Sequence, residues 1–234
     1  MVPRLIFVSI LILCIHTYAI DITDILGEEK EVEIYLRGEY NRSFGGCGDL
    51  SVIGNIKPLD LFILRGGLSV GSLSSGIDDI KAFTSAHVAP FSRIPPLRFS
   101  VFYIYNGLLY YDVHTQSIIP VVSYAISRAG VSYGPCFRFT SFFGEPSQYE
   151  LINSFSAYIN IISNDKRRLE AAVGNFSDFC AKNMGAYSLK FDYSVFLAGN
   201  WTVINEIELL QSGSDALTAN FYGMAWRGGA RYSW

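Results

Sequence analysis

Residues able to do acid–base or nucleophilic chemistry are sparse in this chain of 234 residues, which holds three histidines and four cysteines. None falls in a spacing that builds a familiar site: there is no Gly-x-Ser-x-Gly, no His-Glu-x-x-His and no phosphate-cradling loop. The cysteines make no Cys-x-x-Cys pair, and beyond the first twenty residues only His87 and His114 could join them, so neither a metal nor another cofactor is expected. His114 stands two residues from Asp112 in a predicted loop, the one place where a base and an orienting acid could cooperate; a solvated loop is the plainer reading, and His87 reads as a wall residue. What the chain does have is charge of both signs at alternate positions among apolar and aromatic residues: Glu33, Arg37, Glu39, Arg65, Arg138, Lys190, Asp192, Glu206, Glu208, Arg227 and Arg231. Such a set can solvate ions or polar solutes, or its members can neutralise one another.

A period of two puts these charges on one face of extended strands. The last segment shows it best: Tyr222, Met224, Trp226, Gly228, Ala230, Tyr232 and Trp234 point one way, and Arg227, Gly229, Arg231 and Ser233 the other. At the other end of the chain, Val32, Ile34, Leu36, Gly38 and Tyr40 oppose Glu33, Tyr35, Arg37 and Glu39. Similar alternation marks strands near 50–57, 61–71, 98–111, 131–140, 150–162, 167–177, 186–197 and 201–210. Leu189 and Phe191, for example, face away from Ser188, Lys190 and Asp192. A strand near 82–91 has apolar residues on both faces, and one near 117–127 is interrupted by Pro120, where a helix stays open. The count is twelve, or ten or eight if segments merge or the ninth turns helical.

Connections alternate between tight turns, at 57–60, 92–96, 127–130, 164–167 and 198–200, and mostly longer loops, at 41–47, 72–79, 177–185 and 211–217. An even-stranded barrel with short turns on one rim, beside both termini, predicts this rhythm. Half of the residues are hydrophobic and 17% charged, yet after the first twenty there is no unbroken apolar run of about 18 that would make a membrane helix. The expected fold is therefore an all-β, antiparallel transmembrane barrel. Charges facing lipid would each cost about 2–4 kcal/mol at the midplane, so the alternating charges are expected to line the lumen. A formal net charge of −3 offers no basic face for nucleic acid.

Residues 1–19 read as a signal peptide, with Arg4, an apolar core from Leu5 to Ile15, and the small residues Thr17 and Ala19 ahead of a cleavage point; residues 20–234 form a single domain. Leu13 before Cys14 does not suit a lipoprotein signal. Export leaves Cys47, Cys136 and Cys180. Cys47 and Cys180 fall in predicted outer loops, where a disulfide between them is open, and Cys136 falls within a strand.

An alternating terminal strand that stops on an aromatic residue resembles those of small bacterial outer-membrane β-barrels, of the OmpA or OmpW architectural type. The resemblance implies residence in the bacterial outer membrane, lipid as the surrounding partner, and reading of Tyr222 to Trp234 by the barrel assembly machinery. The function expected on that basis is a passive pore for small solutes and not an enzyme. A closed structural or surface-interaction barrel, a barrel enzyme, and a soluble exported sandwich or lipocalin-like binder are the alternatives. Closure of the barrel by its first and last strands is expected to set Glu33 and Glu39 against Arg227 and Arg231.

Overall fold

A computed structural model describes residues 30–41, 45–59, 62–72, 79–88, 97–109, 112–126, 128–142, 147–164, 166–182, 186–197, 199–212 and 221–234. The expected signal peptide and its cleavage point lie outside these residues. In chain order the strands are β1 (Lys30–Asn41), β2 (Gly45–Leu59), β3 (Phe62–Ser72), β4 (Asp79–Val88), β5 (Leu97–Leu108), β6 (Val113–Ile126), β7 (Ala129–Ser141), β8 (Gln148–Asn164), β9 (Arg167–Gly174), β10 (Phe176–Ser177), β11 (Cys180–Ala181), β12 (Ala186–Phe196), β13 (Trp201–Ser212) and β14 (Phe221–Ser233).

All but β10 and β11 belong to one closed antiparallel barrel of twelve strands, each paired with the next along the chain and β14 paired back onto β1. Lys30 and Trp234 exchange both backbone hydrogen bonds, at 3.0 and 2.9 Å, so the two chain ends of the barrel meet on one rim. Closure leaves no unpaired strand edge.

Alternation sorts the side chains as a barrel requires. On β1, Ile34, Leu36 and Tyr40 stand exposed on the outer wall, Leu36 at 62%, whereas Glu33 and Tyr35 are buried. The same holds for Val131, Tyr133, Phe137 and Phe139 on β7 and for Met224 and Trp226 on β14. Large apolar side chains are thus displayed outward while carboxylates are taken inward, the reverse of a water-soluble fold and the arrangement that a lipid solvent favours. Trp201, Tyr232 and Trp234 cluster at the terminus rim, with ring centroids 4.9 and 5.7 Å apart.

Three elements differ from the sequence-based reading. β6 is one unbroken strand and not a helix or a fragment, because the ladder to β7 resumes in the same register on both sides of Pro120. Ile118 pairs with Phe137 and Val122 with Tyr133, which sets Pro120 opposite Pro135, so two residues lacking an N–H face each other and neither leaves a donor stranded. The backbones close up there until a Cβ on Gly134 would lie 1.9 Å from the Pro120 carbonyl oxygen. β2 begins at Gly45, which moves Cys47 from the expected loop into the wall. β9 ends at Gly174 rather than Ser177, and the chain beyond it leaves the wall.

Candidate functional site

The segment after β9 turns into the barrel. Gly174 permits the departure, since a Cβ there would sit 2.7 Å from the Phe155 carbonyl oxygen. Asn175, only 1% exposed, is the pivot. Its Oδ1 accepts from the Phe155 N–H at 2.8 Å, and its Nδ2 donates to the carbonyls of Asn153 at 2.8 Å and Lys182 at 3.1 Å. Between the two ends that Asn175 joins, β10 and β11 make a miniature hairpin, with Phe176 opposite Ala181 and Ser177 opposite Cys180.

The hairpin packs on an apolar sector of the inner wall. Ile53, Phe83, Ile104, Ile119, Cys136 and Ile152 are buried inward-facing residues, and Phe102, Phe176, Phe179 and Ala181 pack against them. Phe179 meets Phe83 edge-on at 4.9 Å, and Phe176 meets Phe102 at 5.7 Å. Bare apolar side chains lining a wet lumen would be unfavourable, and covering them with the rings of Phe176 and Phe179 recovers about 1.5–3 kcal/mol per ring buried. Polar ties complete the attachment: Asp178 accepts from Arg65 at 2.6 Å, Lys182 reaches Glu208 at 3.3 Å, and Arg138 donates to the Ala181 carbonyl.

The rest of the lumen, along β12, β13, β14, β1 and the start of β3, is charged. The eleven charged residues singled out from the sequence all stand on the inner face. Arg37 of β1 reaches Glu208 at 2.9 Å, Glu39 at 2.9 Å and Asp49 at 3.5 Å. Arg227 lies 2.8 Å from Glu206 and covers the ring of Tyr35 at 4.3 Å. Arg231 holds Glu33 at 2.6 Å, and Arg65 approaches the same carboxylate at 3.3 Å. Arg138 pairs with Glu150 at 3.3 Å near the other rim. Lys190 and Asp192 line a polar cavity of about 240 Å³ on the terminus side of the hairpin, shared with Arg168, Glu170, Asp178, Ser194, Arg227 and Arg231 among others.

The seam between β1 and β14 is antiparallel, with Glu33 directly opposite Arg231, but Arg227 stands opposite Arg37 and Glu39 opposite Ala225. The second expected pair is therefore displaced by one inward-facing step. Arg227 and Arg37 tolerate each other because each is drawn to a different carboxylate of β13, Glu206 and Glu208.

Sequence reasoning missed several inward charges. Asp49, Asp79 and Lys81 fall outside the strands read from the sequence, yet Lys81 bridges Asp79 at 2.6 Å and Asp49 at 3.4 Å inside the barrel. Arg168 and Glu170, which pair with each other, alternate properly but were not singled out. Asp178 and Lys182 belong to the inward hairpin, where no strand period could point to them. A signal for the hairpin did exist: Ile53, Phe102, Ile104, Ile119 and Ile152 fall on positions whose parity faces the lumen, and apolar side chains there require something to cover them.

Among the described residues the three thiols, Cys47, Cys136 and Cys180, are free. Cys47 lies in β2 and Cys180 in the inward hairpin, so neither occupies an outer loop. His87 faces inward and bonds the hydroxyls of Ser85 at 2.9 Å and Ser100 at 2.7 Å. His114 does contact Asp112 at 2.9 Å, and its other ring nitrogen meets the Tyr105 hydroxyl at 2.9 Å, on the outer face of the β5–β6 hairpin.

No family model and no curated protein matches the chain. Solved structures do. The translocator domain of the autotransporter NalP from Neisseria meningitidis shares 13% identity at a TM-score of 0.56, covering 88% of each chain. The NanC porin shares 9% at 0.56, over 85% of this chain and 98% of that one. The KdgM porin in complex with disordered oligogalacturonate shares 10% at 0.54, over 86% and 99%. At such identities the likeness is one of fold, a closed barrel of the kind found in outer-membrane proteins. It extends to a translocator and to porins and does not single out the narrower OmpA or OmpW type.

Proposed function

We propose that the protein resides in the bacterial outer membrane and acts there as a narrow channel for small solutes, with the inward hairpin as its constriction. The observation that carries this reading is the division of the lumen: the hairpin fills the apolar sector and leaves the charged sector, with its polar cavity, uncovered. The apolar outer wall suits lipid, and the terminal strand ending on Trp234 suits recognition by the assembly machinery. The bound oligogalacturonate of the KdgM porin is a polyanion. The lumen of this chain carries both signs in near balance, which favours small solutes without large net charge over such a polymer. The chain is proposed as non-enzymatic, since the Asp112–His114 contact turns outward, away from the lumen.

The test is conductance in planar bilayers, using purified protein whose folding is verified by heat-modifiable migration. Small discrete current steps are expected, and they should grow several-fold when residues 176–181 are replaced by a Gly-Ser linker. A second reading, a closed structural barrel, draws support from the density of ion pairs across the lumen. Silence of both forms, with folding intact, would establish that reading and overturn the channel.

A further inference from the structure

We propose that the lumen chamber on the terminus side of the hairpin binds small zwitterions of amino-acid size, Lys190 taking the carboxylate and Asp192 the ammonium group. The proposal rests on the channel reading for its physiological setting, and on geometry of its own for the binding site.

That geometry is a contrast among the charges lining the chamber. Arg65 is held by Asp178 at 2.6 Å, Arg227 by Glu206 at 2.8 Å, Arg231 by Glu33 at 2.6 Å, and Arg168 pairs with Glu170. Lys190 and Asp192 break this pattern. Among the described residues neither has an oppositely charged group within 4 Å, and the sole side-chain hydrogen bond of Asp192 comes from the Ser194 hydroxyl at 2.7 Å. The two do not pair with each other either.

Their neighbours carry closer partners, and Glu206 and Glu208 balance the Lys190 charge only from beyond ion-pair distance. Lys190 stands in register with Ala172 on one side and Glu208 on the other, and Glu208 is drawn to Arg37 at 2.9 Å and Lys182 at 3.3 Å. Asp192 stands between Glu170 and Glu206, each with its own arginine. Two residues apart on one strand, Lys190 and Asp192 share a face with backbones about 7 Å apart. A small molecule carrying separated opposite charges can span that distance and meet both groups. Half-buried charges with no counter-charge in direct contact are costly unless water or a ligand completes their hydrogen bonds.

The remaining lining explains why a zwitterion suits better than a simple ion. Five cationic side chains, Arg65, Arg168, Lys190, Arg227 and Arg231, face four carboxylates, Glu170, Asp178, Asp192 and Glu206. An ion of either sign gains little from so balanced a wall, whereas a zwitterion gains at both ends. The cavity of about 240 Å³ holds a small amino acid with room for several waters.

The experiment uses glycine and its uncharged isomer glycolamide as probes, with the folded full-length mature protein and the variants Lys190→Met and Asp192→Asn. Because neither residue is tied into an ion pair, both variants should retain heat-modifiable migration. In liposome swelling, glycine entry should saturate with concentration and outpace glycolamide at low concentration, and each variant should abolish that preference. Equal entry of the isomers into wild-type liposomes, or a preference surviving in both variants, would overturn the proposal. If neither solute enters, the channel reading fails. The chamber is then judged by equilibrium dialysis of radiolabelled glycine against the detergent-solubilised protein. Retention by the wild type that falls to the glycolamide level in both variants supports the site, and no wild-type retention refutes it.

Discussion

Replacement of Asn175 by alanine should release the inward hairpin while leaving the barrel closed. The side chain makes three hydrogen bonds, to the Phe155 N–H and to the carbonyls of Asn153 and Lys182, in a fully buried setting. Each such bond contributes about 0.5–1.5 kcal/mol net, and leaving a buried partner unmade costs about 1–3 kcal/mol. Water in the lumen can reach some of the abandoned groups, so the lower part of the summed range, about 3 kcal/mol, is the appropriate expectation. At about 1.4 kcal/mol per factor of ten, that is roughly a hundredfold rise in the population of the released hairpin. The barrel wall itself loses little, because its strand ladders do not depend on the Asn175 side chain.

Cys180 provides the readout, being a free, half-buried thiol within the hairpin. Pulse labelling of folded protein with a bulky charged maleimide, followed by peptide mapping to separate Cys180 from Cys47 and Cys136, should show faster modification of Cys180 in Asn175→Ala. Asn175→Asp should act in the same direction. It keeps an acceptor for the Phe155 N–H but sets a carboxylate oxygen against two carbonyls. Unchanged Cys180 labelling in both variants, with heat-modifiable migration intact, would show that the aromatic contacts alone hold the hairpin and that Asn175 is no pivot.

Two further perturbations address the wall. Gly134→Ala must move the β6–β7 backbone away from a 1.9 Å approach to the Pro120 carbonyl oxygen. Such overpacking costs about 1–3 kcal/mol, and the urea midpoint of the refolded barrel should fall accordingly; an unchanged midpoint would mean that the paired prolines leave slack there. At the seam, cysteines replacing Glu33 and Arg231, which are direct register partners, should link within one molecule, whereas those replacing Glu39 and Arg227 should not, because Arg227 stands opposite Arg37. The opposite pattern on non-reducing gels would put the register wrong by two residues.

The wall of this barrel was legible because the physics that builds it is local. Alternation on β1, β7, β12 and β14 has to satisfy two solvents at once, so residue parity is written into every pair of neighbours, and the strand count of twelve followed. β6 was obscured because Pro120 normally signals an interruption, and the remedy, a second proline at position 135 on the facing strand, is a tertiary fact. The seam was legible as a pairing of β1 with β14 but not in full register. Arg227 takes its acceptor, Glu206, from β13 rather than Glu39 from β1, and charge complementarity alone cannot choose between the two strands.

The inward hairpin was hidden for a different reason. The segment 175–182 reads as a strand end up to Ser177 and an ordinary loop beyond it, since its own sequence holds no long pattern, and what fixes its position sits in other strands. Ile53, Ile104, Ile119 and Ile152 occupy lumen-facing positions on strands whose outer faces are also apolar, which would be unfavourable if water filled the barrel evenly. The alternatives are a lumen that collapses on that side or a segment that fills it, and a closed twelve-strand wall cannot collapse. Phe176 and Phe179 are the filling, and their placement in turn confines any polar passage to the side where Lys190 and Asp192 stand. The apolar sector and the charged sector are therefore two parts of one device: the first fixes where the hairpin lies, and the second sets the chemistry of the space it leaves.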